Sequence, residues 1–170
     1  MLTMLRPILD RWRFFGLLAS AAMLAIAHAF QTFAGLAPCE LCLKQRTVYW
    51  VAGAVGGLAM ILVRLPGGPR YREASCWLLA LVFLTGVGVA GYHAGVELKY
   101  WPGPQSCSGS GTVTAAALRD LLNGGGVKMP ACDQPAWKFA GVSMAGWNTV
   151  ASLILVSLSV AAAVRERGRV

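Results

Sequence analysis

The sequence predicts an all-α integral membrane protein, a four-transmembrane-helix bundle with one long loop between helices 3 and 4. Three observations carry this. Only 13% of the 170 residues are charged and 56% are hydrophobic, whereas a soluble domain carries about 25% charged residues. The charges are bunched, leaving uncharged runs at 14–39, 47–63, 74–96 and 139–164, each close to the roughly 17–25 residues that a spanning helix needs. The arginines also gather at particular links. Arg6, Arg11 and Arg13 precede the first run, Arg64, Arg70 and Arg72 fill the link between the second and third, and Arg165, Arg167 and Arg169 follow the fourth.

In a four-pass chain those three clusters share one side of the membrane, and they make up most of the fifteen basic residues. That asymmetry predicts cytoplasmic N and C termini. The net charge of +8 therefore reports topology and a lipid bilayer around the chain. It does not predict a nucleic-acid partner.

Helix 1 is expected over about 14–34. Residues 1–29 have a basic start, an apolar core and "AHA" at 27–29, as a cleaved signal peptide does. The apolar run continues through Phe30 and Phe33, so the segment reads as a retained span. Helix 2 is expected over about 46–64, after a short link at 35–45, and "RLPGGPRYRE" then makes a tight basic turn. Helices 3 and 4 are expected over about 74–93 and 143–164, with the long outer loop at about 94–142. The whole chain, 1–170, reads as a single membrane domain. Within the loop, "TVTAAALRDLLNGGG" reads as a short amphipathic helix, capped by Thr112 or Thr114 and stopped by Gly124 to Gly126. No internal repeat, phosphate loop or nucleotide fingerprint is present.

Five cysteines stand at 39, 42, 76, 107 and 132. On this topology four lie on the outer side, where disulfides persist, and Cys76 lies toward the cytoplasm, where thiols stay reduced. Cys76 in "ASCWLL" reads as a small packing residue. "PCELCLKQR" at 38–46 is sharper. Pro38 suits a helix start, so Cys39 and Cys42 fall near a helix N-terminus, which lowers a thiol pKa. Arg46 follows Cys42 by four residues, on the same helical face. Half a zinc site has this spacing but needs two more ligands, and a haem attachment needs histidine where Leu43 stands. No metal site is expected, and the pair points to redox activity. A Cys107–Cys132 bridge would close the outer loop and add roughly 3 kcal/mol. The Ser and Gly neighbours of Cys107 predict an accessible sulfur on a movable backbone, so structural and exchanging bridges both fit.

These residues resemble the DsbB family, bacterial inner-membrane thiol:quinone oxidoreductases. The resemblance rests on "PCELCLKQR" before helix 2, "YHAGVELKYWPGPQSC" after helix 3 and "CDQPAWKFAGVSMAGWN" leading into helix 4. It implies a multi-pass protein of the bacterial inner membrane whose long loop is periplasmic. It implies that Cys39 and Cys42 pass electrons to quinone (ubiquinone or menaquinone), with Cys42 next to it, and that a DsbA-like periplasmic thiol oxidase attacks Cys107, whose loop companion is Cys132. It places Arg46 and His93 at the quinone site. His28, inside helix 1, has no such counterpart and reads as a polar packing residue. Three other classes are weighed: a vitamin K epoxide reductase-like enzyme, a metal-binding or transport protein, and a structural membrane protein. The first would carry C-x-x-C beside a later helix, and the second would show an acidic or histidine cluster within its helices, which the sequence pattern does not suggest.

Overall fold

The computed structural model describes residues 2–104, 107, 122 and 131–169. Its elements in chain order are α1 (Leu2–Asp10), α2 (Trp12–Phe33), α3 (Glu40–Leu62), α4 (Tyr71–Glu97), the strands β1 (Lys138–Phe139) and β2 (Val142–Ser143), and α5 (Met144–Arg167). Among the described residues three helices, α2, α4 and α5, are long and apolar enough to cross a membrane. The fourth long helix, α3, spends its first two turns on Glu40, Lys44, Gln45 and Arg46. Its apolar part is only the run after Arg46, and on composition α3 falls short of the other three.

Each long helix overruns its uncharged run at one end or both. α3 begins six residues earlier than position 46, because Cys39 is its N-cap: the Cys39 sulfur accepts from the Cys42 amide at 3.2 Å. Pro38 therefore precedes the cap and does not occupy the first turn. α4 runs on to Glu97, so the link to β1 begins later than position 94. It ends in a Schellman motif. Lys99 takes a left-handed φ of 63°, its amide bonds Val96 O at 3.1 Å, and the Tyr100 amide reaches back to Gly95 O at 2.9 Å. α1, with Pro7 inside it, was not anticipated. The expected amphipathic helix lies outside the described residues except for Leu122, which is helical and exposed.

The main packings are α4 on α5, α2 on α3 and α3 on α4. Small residues let the backbones approach, as in membrane bundles. A methyl group on Gly86 would sit 3.1 Å from Ser152 Oγ and 3.2 Å from Val48 Cγ1. One buried cluster fills the bundle, from Trp12 and Leu24 through Tyr49, Leu79 and Phe83 to Leu155 and Ala162. Large apolar side chains such as Phe14, Leu18, Trp50, Leu58, Leu84 and Ile154 face outward. Soluble surfaces avoid such a band and lipid accommodates it. At the arginine-rich end, Arg165 and Arg169 grip Asp10 at 2.6 and 2.9 Å, and Arg13 meets Glu166 at 3.6 Å. These pairs bring the start of α2 to the end of α5, as an up-and-down bundle requires.

Candidate redox site and its cavity

The opposite end of the bundle holds a second buried cluster, made of Cys39, Leu41, Val96, Cys107 and Cys132, with Cys42 packed against it. The two cysteine pairs are thus gathered in one place although loop and helix separate them in sequence. Cys107 and Cys132 form a disulfide with Cα atoms 5.2 Å apart, and Cys107 is only 6% exposed. The expectation of an accessible Cys107 sulfur is overturned. The Cys107 side chain packs in the same buried cluster as Val96 and Cys39. The ion pair between Lys99 and Asp133 ties the end of α4 to the residue after Cys132.

Cys39 and Cys42 are free thiols with sulfurs 2.6 Å apart, so closing a disulfide between them needs no backbone movement. Both precede the uncharged run at 47–63. The hydrogen bond from Cys39 holds the Cys42 thiol down to about 7, burial opposes it, and Arg46 adds a smaller pull downward. The same hydrogen bond, with burial, pushes the Cys39 thiol up. The pair therefore titrates as a unit. Arg46 lies on the cavity side of α3, where Nη1 donates to Gln31 Oε1 at 2.6 Å and Nη2 to Ala27 O at 3.1 Å.

His93 is buried inside α4, not at its end, with Nε2 3.7 Å from the Cys39 sulfur. Its other nitrogen, Nδ1, is 2.7 Å from Gln45 Nε2. Glu97, one turn along, places Oε1 3.8 Å from His93 Nε2, and its Oε2 is buried with no hydrogen-bond partner among the described residues. His93 and Glu97 thus make one ionisable pair within a helix, which sequence reading did not single out. The sulfurs of Cys39 and Cys42 and a His93 nitrogen lie within 4.8 Å of one another, as metal ligands do. Two thiolates on one tetrahedral zinc stand roughly 3.8 Å apart, given ~2.3 Å bonds. The two sulfurs stand closer than that, at 2.6 Å.

Beside this cluster lies a cavity of about 480 Å³, within the usual range for small-molecule sites. Its walls are mainly apolar, from Met23, Ile26 and Phe30 on α2 and Trp147 on α5, and its polar groups include Cys39, Cys42, Gln45, Arg46, His93, Glu97 and Asn148. Cys107 and Cys132 do not line it. Sequence reading missed Gln45, Glu97 and Asn148. The available signal was a polar residue in the final turn of α4 and the first turns of α3 and α5, where an apolar helix usually reserves polarity for a site. Cys76 is fully buried in the bundle core, as a packing residue is. His28 bonds Leu24 O within its own helix and takes no part in the site.

The chain matches the family described as Disulfide bond formation protein DsbB over residues 10–162. It is 30% identical to a Disulfide bond formation protein B of Xanthomonas campestris, over 93% of this chain and 95% of that one. It is 32% identical to that of Nitrosococcus oceani, over 88% of each chain, and 29% identical to that of Dechloromonas aromatica, also over 88% of each. No solved structure matches it. The chain belongs to the DsbB family of disulfide bond formation proteins, helical proteins with apolar helices able to cross a membrane, and has an oxidoreductase role in disulfide formation.

Proposed function

We propose that the protein is a dithiol:quinone oxidoreductase that reoxidises a DsbA-like periplasmic thiol oxidase and passes the electrons to membrane quinone. The observation that carries this reading is the packing of both cysteine pairs in one buried cluster against an apolar cavity with a cationic wall. α3 is the fourth span, entering the bilayer after Arg46, and the arginine-rich end with both termini is cytoplasmic. The protein then sits in the bacterial inner membrane, with Cys107 and Cys132 on the periplasmic side.

The division of labour follows from solubility. A dithiol partner arrives from water and exchanges with the Cys107–Cys132 disulfide. The two electrons move by thiol–disulfide exchange to Cys39 and Cys42, whose sulfurs line the cavity. The residues of the cavity suit a quinone: Met23, Ile26, Phe30 and Trp147 offer apolar walls to a ring and its tail, Arg46 offers N–H groups to a polar oxygen, and His93 lies on the same wall beside the redox pair. A bound quinone supplies the acceptor for two electrons and two protons. Cys42, the thiol held low, is the better electron donor of the pair, and Arg46 stabilises negative charge beside it.

The test is oxidation of a reduced DsbA-like protein by the purified protein in detergent, with and without ubiquinone or menaquinone. Catalytic loss of the partner's thiols only when quinone is present is the expected result. Partner oxidation that is unaffected by quinone refutes the proposal.

A further inference from the structure

A line of buried hydrogen bonds runs from the bundle core to the redox pair. Tyr49 donates its hydroxyl proton to Asn148 Oδ1 and stands 3.2 Å from Ser152 Oγ. Asn148 Nδ2 donates to Gln45 Oε1 at 2.5 Å. Gln45 Nε2 then faces His93 Nδ1 at 2.7 Å. Gln45, His93, Asn148 and Ser152 are all less than a tenth exposed, as is Tyr49; although Tyr49, Gln45, His93 and Asn148 edge the cavity, their hydrogen bonds run to one another, as buried polar groups require.

Such a line has a direction. An amide nitrogen can only donate, so His93 Nδ1 must accept from Gln45 and carries no proton of its own. The single ring proton of a neutral imidazole is then on Nε2. A separate observation agrees. Nε2 faces the Cys39 sulfur at 3.7 Å and Glu97 Oε1 at 3.8 Å, both acceptors once ionised. A lone pair on Nε2 would oppose theirs, whereas an N–H is shared among these acceptors and the Cys132 backbone, which also bonds the ring.

We propose that Gln45, held by Asn148 and Tyr49, is a positioning residue that keeps the proton of His93 on Nε2, aimed at Cys39. This rests on the redox reading of the site but not on the identity of the electron acceptor. When Cys39 is released from a disulfide, the incoming thiolate bonds to the other sulfur and the electron pair of the broken bond stays on Cys39. The Nε2–H group is the donor facing that pair, and no proton need leave the ring. A hydrogen bond to a charged acceptor in a buried site changes a thiolate population by roughly tenfold.

The chain contains only two histidines, so the tautomer can be read directly. Nitrogen-15 NMR of histidine-labelled protein in detergent at neutral pH, with His28→Gln to assign the second ring, should show His93 with Nε2 protonated and Nδ1 bare. In Gln45→Glu the new carboxylate accepts where the amide donated, so Nδ1 should become protonated. In Gln45→Leu the preference for Nε2 should weaken. On the Cys42→Ala background, alkylation of Cys39 at fixed pH should slow roughly tenfold with Gln45→Leu. Wild-type protein with the proton on Nδ1, as both amides turned over would give, overturns the proposal. So does a His93 spectrum identical in wild type and Gln45→Glu. If the tautomer is as stated and quinone-dependent turnover is absent, the proposed function fails and the positioning role of Gln45 stands.

Discussion

Arg46 on α3 reaches across to α2 and donates to Gln31 Oε1 at 2.6 Å. With its second bond to Ala27 O, the guanidinium is fixed at the cavity wall within the reach of charge from Cys42. Arg46→Ala should slow quinone reduction and raise the apparent KM for quinone tenfold to a hundredfold, since a partly desolvated charge contact is worth a few kcal/mol. Exchange of Cys107 with a dithiol partner in a single turnover should persist. Arg46→Lys should recover part of the loss, keeping the charge without the fork that spans Gln31 and Ala27. Unchanged quinone kinetics with a lower thermal midpoint would make Arg46 a packing residue.

The reduced pair should react as a low-pKa thiol. Cys42 is held down from 9.0 to about 7, so its thiolate, the reactive form, dominates above that pH and is lost below it. Alkylation of Cys42 in the reduced protein should therefore rise with a midpoint near pH 7. Cys39→Ala removes the principal cause, and the midpoint should move up toward the ordinary thiol range. A midpoint that ignores Cys39→Ala would show that the two sulfurs do not share a proton.

Gly95 leaves room at the end of α4 for the Trp101 ring. A methyl group there would lie 2.1 Å from Trp101 Cζ2, and Trp101 is itself fixed by stacking on Tyr92 at 5.9 Å and by donating to Tyr92 O at 2.9 Å. Gly95→Ala should destabilise the protein by about 1–3 kcal/mol, read as a lower thermal midpoint in detergent. Gly88→Ala, on the same helix with nothing within 4 Å of the new methyl, should be neutral or slightly stabilising because alanine is the better helix former. Equal effects at both positions would show that Trp101 does not pack tightly on Gly95.

How far the sequence could be read depended on which part of it carried a periodic or compositional signal. α2, α4 and α5 were visible as uncharged runs, because lipid admits few charges. α3 was placed too late, because its first turns are polar and charged: Gln45 and Arg46 line the cavity, and Glu40 pairs with Lys44 on the exposed side. Cys39, Cys42 and Arg46 were legible from local spacing alone. His93 needed the family resemblance, and Glu97 was hidden because a helix was expected to stop before it; the Schellman motif at Lys99 leaves little sequence trace when the left-handed residue is not glycine. The Gln45–Asn148 contact joins α3 to α5, and no local pattern could have paired them.

The proposed orientation can be read with single cysteines in a background that lacks the native five. Lys99 is well exposed beyond the end of α4, and Arg167 is exposed at the end of α5. In intact spheroplasts a membrane-impermeant thiol reagent should label Lys99→Cys and spare Arg167→Cys until the membrane is opened. The reverse pattern would invert the protein and exclude a periplasmic partner at Cys107.

The central claim, that Cys39 and Cys42 deliver two electrons to quinone, is tested most directly by a single turnover. Cys107→Ala/Cys132→Ala protein, fully reduced and free of oxygen, is mixed with an equivalent of ubiquinone or menaquinone, and quinone absorbance and thiol pairing are followed together. Loss of one quinone per protein, with a Cys39–Cys42 disulfide found by mass spectrometry, is the predicted result. Quinone left unreduced while Cys39 and Cys42 stay as thiols would contradict it.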